Sequence, residues 1–356
     1  MVLHLHYPDI ANMSMNNDKK TIFVALSGGV DSSVTAALLQ KRGFKVVGCH
    51  IKCFNIDGCG VKDAEDARRV AEQLDIPFYV FDLEQEYKDK VVQYMVDGYK
   101  RGLTPNPDVM CNKEIKFGLF LEKALSLGAD QIATGHYVAL KDGRLYQAKD
   151  KNKDQSYFLW TLTQNQLQHC LFPLGDYTKE QVRKLAQKYE LLTSEKKDSQ
   201  GICFLGQVSL ADFLKDYIPA KKGVVLNTSG EKVGQHNGAH FYTIGQRHGL
   251  GLGELSNTPH YISEKSVRDN TITVAEGDKN EELFKDEVDL TDLHFIKDQP
   301  KQKTVFARLR YRQPLFKALL NNNKLIFSDP QKFIAPGQSA VFYDAQGQML
   351  GGGVIA

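Results

Sequence analysis

The chain has 356 residues, a length that suits two or three domains rather than one. Apolar residues make up 42% and charged residues 25%, the balance of a globular protein with ample material for its cores. A formal net charge of +2 excludes nucleic-acid binding by bulk charge, so any such surface must be a local patch. No run approaches the roughly 18 consecutive apolar residues of a membrane span, and the first twenty residues lack the basic start and apolar centre of a secretory signal. Met13 and Met15 precede the first apolar run, and residues 1–17 read as a flexible N-terminal extension. The six cysteines (Cys49, Cys53, Cys59, Cys111, Cys170, Cys203) are too sparse and irregular for a secreted disulfide framework, which points to a reducing, cytoplasmic setting.

The first element is a buried strand, Thr21 to Leu26, followed by a Ser-Gly-Gly turn. The helix after it carries Val34, Ala37 and Leu38 on one face and stops at Gly43. A second apolar strand runs from Phe44 to Ile51, a charged helix from Lys62 to Leu74, and a third strand from Pro77 to Phe81. Helices over Tyr87–Lys100 and Lys113–Leu127 then lead into a strand at Gln131–Thr134. Strands alternating with helices predict a parallel sheet covered on both faces, with ligands beyond the carboxyl ends of its strands. The glycine turn, Ile51 and Gly135 all lie at such ends.

After about residue 218 the helical period disappears. Short alternating strands take over: Val224–Leu226, His240–Ile244, Tyr261–Ile262 and Thr271–Val274. A charged break at Glu276–Glu287 precedes a last β-rich segment. The predicted organisation is an α/β domain over 18–218, a small β-rich domain over 219–285 and a second over 286–356.

In Ala25-Leu26-Ser27-Gly28-Gly29-Val30-Asp31-Ser32-Ser33 the glycines permit close approach of a ligand to the backbone. The helix start offers free N–H groups and the positive end of its dipole, the setting for a phosphate. A plain capped turn is the bland alternative. The chain has neither the Gly-x-x-x-x-Gly-Lys-Ser/Thr of a P-loop nor the Gly-x-Gly-x-x-Gly of a dinucleotide fold. The stretch resembles the pyrophosphate loop of the ATP pyrophosphatase superfamily, although Ala25-Leu26 stands where Gly-Met is usual.

In Thr104-Pro105-Asn106-Pro107-Asp108-Val109-Met110-Cys111-Asn112 two prolines stiffen a turn before a helix. A thiol at a helix start beside Lys113 and Lys116 favours thiolate, and Asp108 one turn earlier suits acid/base work. Equally, Asp108 could cap the helix and Cys111 pack as a small hydrophobe. Cys203 lies in a polar, glycine-containing loop, Asp198–Phe204, where a packed cysteine is the default. Arg308, Arg310 and Arg312 alternate in a strand-like run, which predicts three guanidinium groups on one face for phosphate contacts, with the Tyr311 ring beside them. Histidines 236, 240 and 248 have no metal-ligand spacing, and no metal site is expected from the protein itself. Cys49, Cys53 and Cys59 match no standard iron–sulfur signature.

Together these stretches, with Ala133–Tyr137, Lys153–Leu159, Tyr242–Gly251, Arg310–Gln313 and Ala335–Gln338, resemble the bacterial tRNA-specific 2-thiouridylase family from about residue 20 to the end. The segment Lys52–Gly60 departs from the family by being short and cysteine-rich. The resemblance implies a Rossmann-like ATP pyrophosphatase domain followed by two β-rich domains, the last a β-barrel. It implies an ATP site lined by Ala25, Leu26, Ser27, Gly28, Gly29, Val30, Asp31, Ser32, Ile51 and Gly135, with magnesium (Mg2+) on the phosphates. Asn106, Pro107 and Asp108 would hold a flipped-out uridine. Cys203 would carry a sulfane sulfur, Cys111 would release it by forming a transient Cys111–Cys203 disulfide, and Asp108 would act as general acid/base. Lys153, Asp154, Gln155, Arg310 and Tyr311 would touch the tRNA anticodon arm, and His136 and Gln338 would serve tRNA selectivity. The implied partner besides tRNA is a persulfide-donating sulfur carrier or cysteine desulfurase. Two other classes stay open: a ligase of the same superfamily with a nitrogen nucleophile, and a tRNA-binding protein with a relic nucleotide pocket.

Overall fold

A computed structural model describes residues 19–54, 56, 59–198, 208–252, 258–297 and 303–356. The expected N-terminal extension and residues 199–207, Cys203 among them, lie outside the described residues.

The first sheet is built from β1 (Thr21–Ala25), β2 (Lys45–Lys52), β3 (Phe78–Asp82), β4 (Gln131–Ala133) and, after a small hairpin of β5 (Ala139–Lys141) and β6 (Arg144–Tyr146), β7 (Cys170–Leu171). Its order is β3-β2-β1-β4-β7, and every neighbouring pair is parallel. Chain order reverses between β1 and β4, so a crevice opens beyond their carboxyl ends. The crossovers are α1 (Val30–Lys41), α2 (Cys59–Gln73) and two long helices. One, α3, runs through Glu84–Tyr87, Lys88–Val92 and Gln93–Lys100; the other, α4, through Pro107–Met110, Cys111–Phe120 and Leu121–Ser126, each with a π-type stretch.

The sequence predicts one apolar face on α1, but it is buried nearly all round. Ala36 and Leu39 face the sheet, while Val34, Ala37 and Leu38 pack under Val182 and Ala186 of α5 (Lys179–Lys188). That second cover comes from distant sequence, so a local pattern could not announce it.

The second sheet has order β10-β11-β8-β9, from β8 (Gly223–Asn227), β9 (Lys232–His236), β10 (His260–Ser266) and β11 (Thr271–Glu276). The strand expected over His240–Ile244 does not form: Ala239–Phe241 is a single 3-10 turn. Tertiary hydrogen bonds take these residues instead, His240 Nδ1 lying 3.0 Å from the Tyr99 carbonyl and Thr243 Oγ1 3.3 Å from Thr104 Oγ1.

The last six strands close a barrel in the order β12-β15-β14-β13-β16-β17. They are β12 (Phe284–Phe295), β13 (Thr304–Arg308), β14 (Phe316–Asn321), β15 (Lys324–Lys332), β16 (Ser339–Tyr343) and β17 (Met349–Ile355). Closure removes the exposed edges an open sheet would carry. The barrel docks on the first domain through buried polar groups: Trp160 Nε1 donates to Ser339 Oγ at 3.0 Å, and Ser156 Oγ lies 2.8 Å from Tyr343 OH. A side chain at Gly352 would meet the Trp160 ring at 2.8 Å, which explains a glycine inside β17.

Candidate functional site

The crevice beyond β1 and β4 is lined by the Ser-Gly-Gly turn. Gly28 has φ +73°, and a Cβ there would lie 2.4 Å from the Asp63 carbonyl oxygen, so the turn closes only with glycine. Gly29 precedes α1 without any side-chain cap, leaving first-turn amides for an outside acceptor. The three serines divide their work. Ser33, fully buried, donates to the Gly29 carbonyl at 2.8 Å and locks the helix start. Ser27 and Ser32 share a hydroxyl pair 3.2 Å apart at the turn itself. Gly135, on the loop after β4, lies against this helix start: a Cβ would meet Ser32 N at 2.9 Å. Under the turn, His50 Nδ1 sits 3.0 Å from the Leu26 carbonyl. Burial lowers the His50 pKa, only partly opposed by that hydrogen bond and by Asp63.

Asp31, in the first turn of α1, is gripped from two sides. Tyr137 OH donates to Oδ1 at 2.8 Å, and Lys179 Nζ lies 2.8 Å from both carboxylate oxygens. Lys179 also pairs with Asp198 at 2.7 Å, which in turn holds Lys153 at 2.6 Å and Arg183 at 2.8 Å. Burial pushes the Asp198 carboxyl up, but hydrogen bonds to Lys153 and Lys179 outweigh it and hold the group at about 2. Sequence reasoning missed Lys179, Tyr137, Arg183 and Asp198 as members of this cluster. The one local signal is the Thr178/Gln181 capping box, which fixes Lys179 as the first residue of α5.

The second constellation begins at Asn106, whose Oδ1 accepts from Asp108 N (3.1 Å) and Val109 N (3.2 Å), with Pro107 at the first helical position. The cap is therefore Asn106, not Asp108. The helix also starts earlier than its sequence pattern shows, so Cys111 lies in the second turn and is 2% exposed. The field of the helix end, which fades within one turn, acts on Asp108 rather than on Cys111. Burial pushes the Asp108 carboxyl above its ordinary range, with Lys116 pulling the other way.

This loop is pinned from the other domains. Thr104 N donates to the Pro336 carbonyl and Gln338 Nε2 to the Thr104 carbonyl, both at 2.7 Å. Gly337 has φ +90°, and a Cβ there would stand 2.8 Å from Thr104 N. His136 is buried between Phe117 and Phe172 with Nδ1 2.7 Å from Thr134 Oγ1. Burial, helped by Lys116, drives its pKa well down and keeps it neutral.

The three arginines do not share a face. β13 ends at Arg308, and Arg312 has φ +64°, so the run is a turn rather than a strand. Arg308 points inward to Asp154 at 3.1 Å, the two side chains 7% and 0% exposed. Arg310 donates to the Ile244 carbonyl, and Arg312 lies over the Tyr311 ring at 5.2 Å. Tyr311 meets Phe158 at 4.5 Å between centroids. The enclosed Asp154 carboxylate is spent on Arg308 and on the Ala148 and Ser156 amides. In this arrangement Asp154 braces the segment carrying Lys153 and Gln155.

Residues 20–207 match the tRNA methyl transferase HUP domain family, 211–276 the tRNA methyl transferase PRC-barrel domain and 285–355 the aminomethyltransferase beta-barrel domain. A curated relative from Streptococcus thermophilus, "tRNA-specific 2-thiouridylase MnmA", is 44% identical over 359 residues, covering 96% of each chain. Its counterpart from Listeria monocytogenes, under the same name, is 45% identical with the same coverage. The chain belongs to the tRNA-specific 2-thiouridylase family. Members of this family are tRNA sulfurtransferases, and their pyrophosphate-loop fold goes with use of ATP.

In this thiouridylase the predicted ATP-lining residues from Ala25 to Ser32 and Gly135 gather at the β1/β4 crevice, with Ile51 near the carboxyl end of β2. Asn106, Pro107 and Asp108 share one helix start, and Cys111 lies in the second turn of the same helix. No helix among the described residues is long and apolar enough to cross a membrane.

Proposed function

We propose that this chain is a tRNA 2-thiouridine synthase acting on the wobble uridine. The observation that carries the reading is an uncapped helix start, abutted by Gly135 at the sheet's switch point, in a chain that also presents the Asn106–Cys111 helix start. Backbone amides of the Ser27–Ser32 turn would hold the phosphates of ATP. The Ser27 and Ser32 hydroxyls are hard oxygen donors of the kind magnesium takes, whereas both Asp31 carboxylate oxygens are engaged by Lys179. Bound there, magnesium would supply positive charge to the departing pyrophosphate.

The uridine, extruded and held by Asn106, Pro107 and Asp108, attacks the α-phosphorus through its C2 oxygen, and pyrophosphate leaves. The terminal sulfur of a Cys203 persulfide then bonds to C2. Cys111 attacks the inner sulfur of that persulfide, the S–S bond breaks, and its electron pair goes to the transferred sulfur. C2 releases AMP, which keeps the former uridine oxygen. The resulting Cys111–Cys203 disulfide needs an external dithiol for the next cycle. Asp108, its carboxyl raised by burial, is suited to carry the proton. A sulfur carrier or cysteine desulfurase reloads Cys203, in a cytoplasmic setting. Lys153, Gln155, Arg310 and Tyr311 contact the anticodon arm, while His136 and Gln338 shape selectivity, Gln338 by fixing the Thr104 carbonyl. The domains work as 18–218 for catalysis, 219–285 as the central unit and 286–356 as the tRNA-binding barrel.

The test is incubation with ATP, magnesium, unmodified tRNA and a persulfide donor. AMP, pyrophosphate and 2-thiouridine are expected in equal amounts. A Cys203→Ser variant that still transfers persulfide sulfur at the full rate refutes the relay.

A further inference from the structure

The turn that would receive the triphosphate, Ser27 to Ser33, contains no lysine or arginine, yet Asp31 places a full negative charge in it. Asp198 adds a second carboxylate, joined to the first through one ammonium group. Asp198 is already held by Lys153 and Arg183, but Asp31 has neither, and a triphosphate approaching an unpaired Asp31 carboxylate would be repelled, so the site needs a cation from elsewhere in the chain.

Lys179 is placed for this. It comes from 148 residues beyond Asp31, is 16% exposed, and contacts both Asp31 oxygens at 2.8 Å and Asp198 at 2.7 Å. A lysine in the first turn of a helix opposes that helix's dipole, so local helix stability does not account for it. Among the described residues it is the one cation in ion-pair contact with Asp31. The Tyr137 hydroxyl completes the grip and fixes the carboxylate's orientation.

We propose that Lys179 is a positioning residue of the adenylation site, acting through Asp31: it neutralises Asp31, ties it to Asp198 and holds it in the orientation the ATP phosphates require. The inference rests on the reading of the Ser27–Ser32 turn as the ATP site. It assigns to the β1/β4 crevice a residue that the turn's own sequence does not contain.

Equilibrium binding of ATP with magnesium, without tRNA, tests it. Lys179→Met is expected to weaken ATP at least tenfold, while Lys179→Arg, which keeps the charge, stays within about threefold of the parent. Adding Asp198→Asn to Lys179→Met removes one of the exposed carboxylates and is expected to recover at least threefold. Binding of tRNA should be unchanged in the two Lys179 single variants. A purely structural brace would lower the melting temperature without this charge-dependent pattern. Should Lys179→Met not fold, Asp198→Asn alone decides, since freeing Lys179 from one carboxylate must tighten ATP. Unchanged ATP affinity in Lys179→Met, no recovery in the double variant, or no tightening in Asp198→Asn alone overturns the inference. A parent chain that binds no ATP overturns the functional reading as well, which separates the two failures.

Discussion

Gly135→Ala adds one methyl group at the point where the loop after β4 touches the start of α1. The added carbon would lie 2.9 Å from Ser32 N, 3.0 Å from the Asp31 carbonyl carbon and 3.2 Å from Asp31 Cβ. Carbon contacts relax near roughly 3.5–4.0 Å, so either the loop or the helix start must move by about 0.5 Å or more. Two of the three atoms are α1 backbone, and Ser33, Ser32 and Tyr137 already tie that turn in place. Overpacking of this kind costs about 1–3 kcal/mol. Part of that strain falls on global stability, and the displaced helix amides carry the rest into ATP binding. At about 1.4 kcal/mol per factor of ten, the whole strain would be worth roughly five- to a hundredfold, so the share that reaches binding should weaken it by about two- to tenfold. Gly135 has no positive φ, so space rather than backbone strain is what the variant probes. Calorimetric titration with ATP and magnesium, beside a thermal melt, reads both effects. A variant with parental ATP affinity and an unchanged melt would refute the close approach on which the phosphate site depends.

The other expectations are direct. Asp108→Asn should cut the rate by about 10²–10⁴ yet leave the protein as stable at pH 7 or more so, because burial raises the native carboxyl. The sign follows from the raised pKa: the favourable contribution of Asp108 is complete below its unfolded value of roughly 3.9 and is lost as pH rises through the native value. The advantage of the Asn variant in thermal melts should therefore shrink toward pH 4; a variant destabilised at pH 7 contradicts this. Asp154→Ala strands the buried Arg308 guanidinium and should cost about 3–5 kcal/mol in urea unfolding. Less than about 1 kcal/mol would mean the pair is solvated. Arg310→Ala should shallow the salt dependence of tRNA binding by about one phosphate contact. An unchanged slope would mean the guanidinium serves only the Ile244 carbonyl.

The parts of the molecule legible in the sequence are those where chemistry is local. Apolar runs mark β1 and β2 because parallel strands are buried on both faces, and Ser27–Ser33 marks the turn because glycine geometry and an uncapped helix start are local features. The prolines of Pro105-Asn106-Pro107 likewise signal a helix start, although the cap considered from sequence was Asp108 and the structure puts it at Asn106. What escaped is what tertiary contact decides. Alternation of Arg308, Arg310 and Arg312 mimics a strand face, but the buried Asp154 draws Arg308 inward and positive φ at Arg312 turns the chain. His240–Ile244 has strand composition, yet its polar groups bond to Tyr99 and Thr104. Lys179 belongs to the Asp31 cluster only because α5 covers α1, a fact no window around either residue contains.

The most direct test of the account is a single turnover with ATP, magnesium, unmodified tRNA and protein preloaded with persulfide, followed by mass analysis of both nucleosides and peptides. One AMP per 2-thiouridine, together with a Cys111–Cys203 linked peptide two hydrogens lighter than the reduced pair, is the result predicted. Thiolated tRNA with both cysteines still free, or AMP released without sulfur reaching the base, would contradict it.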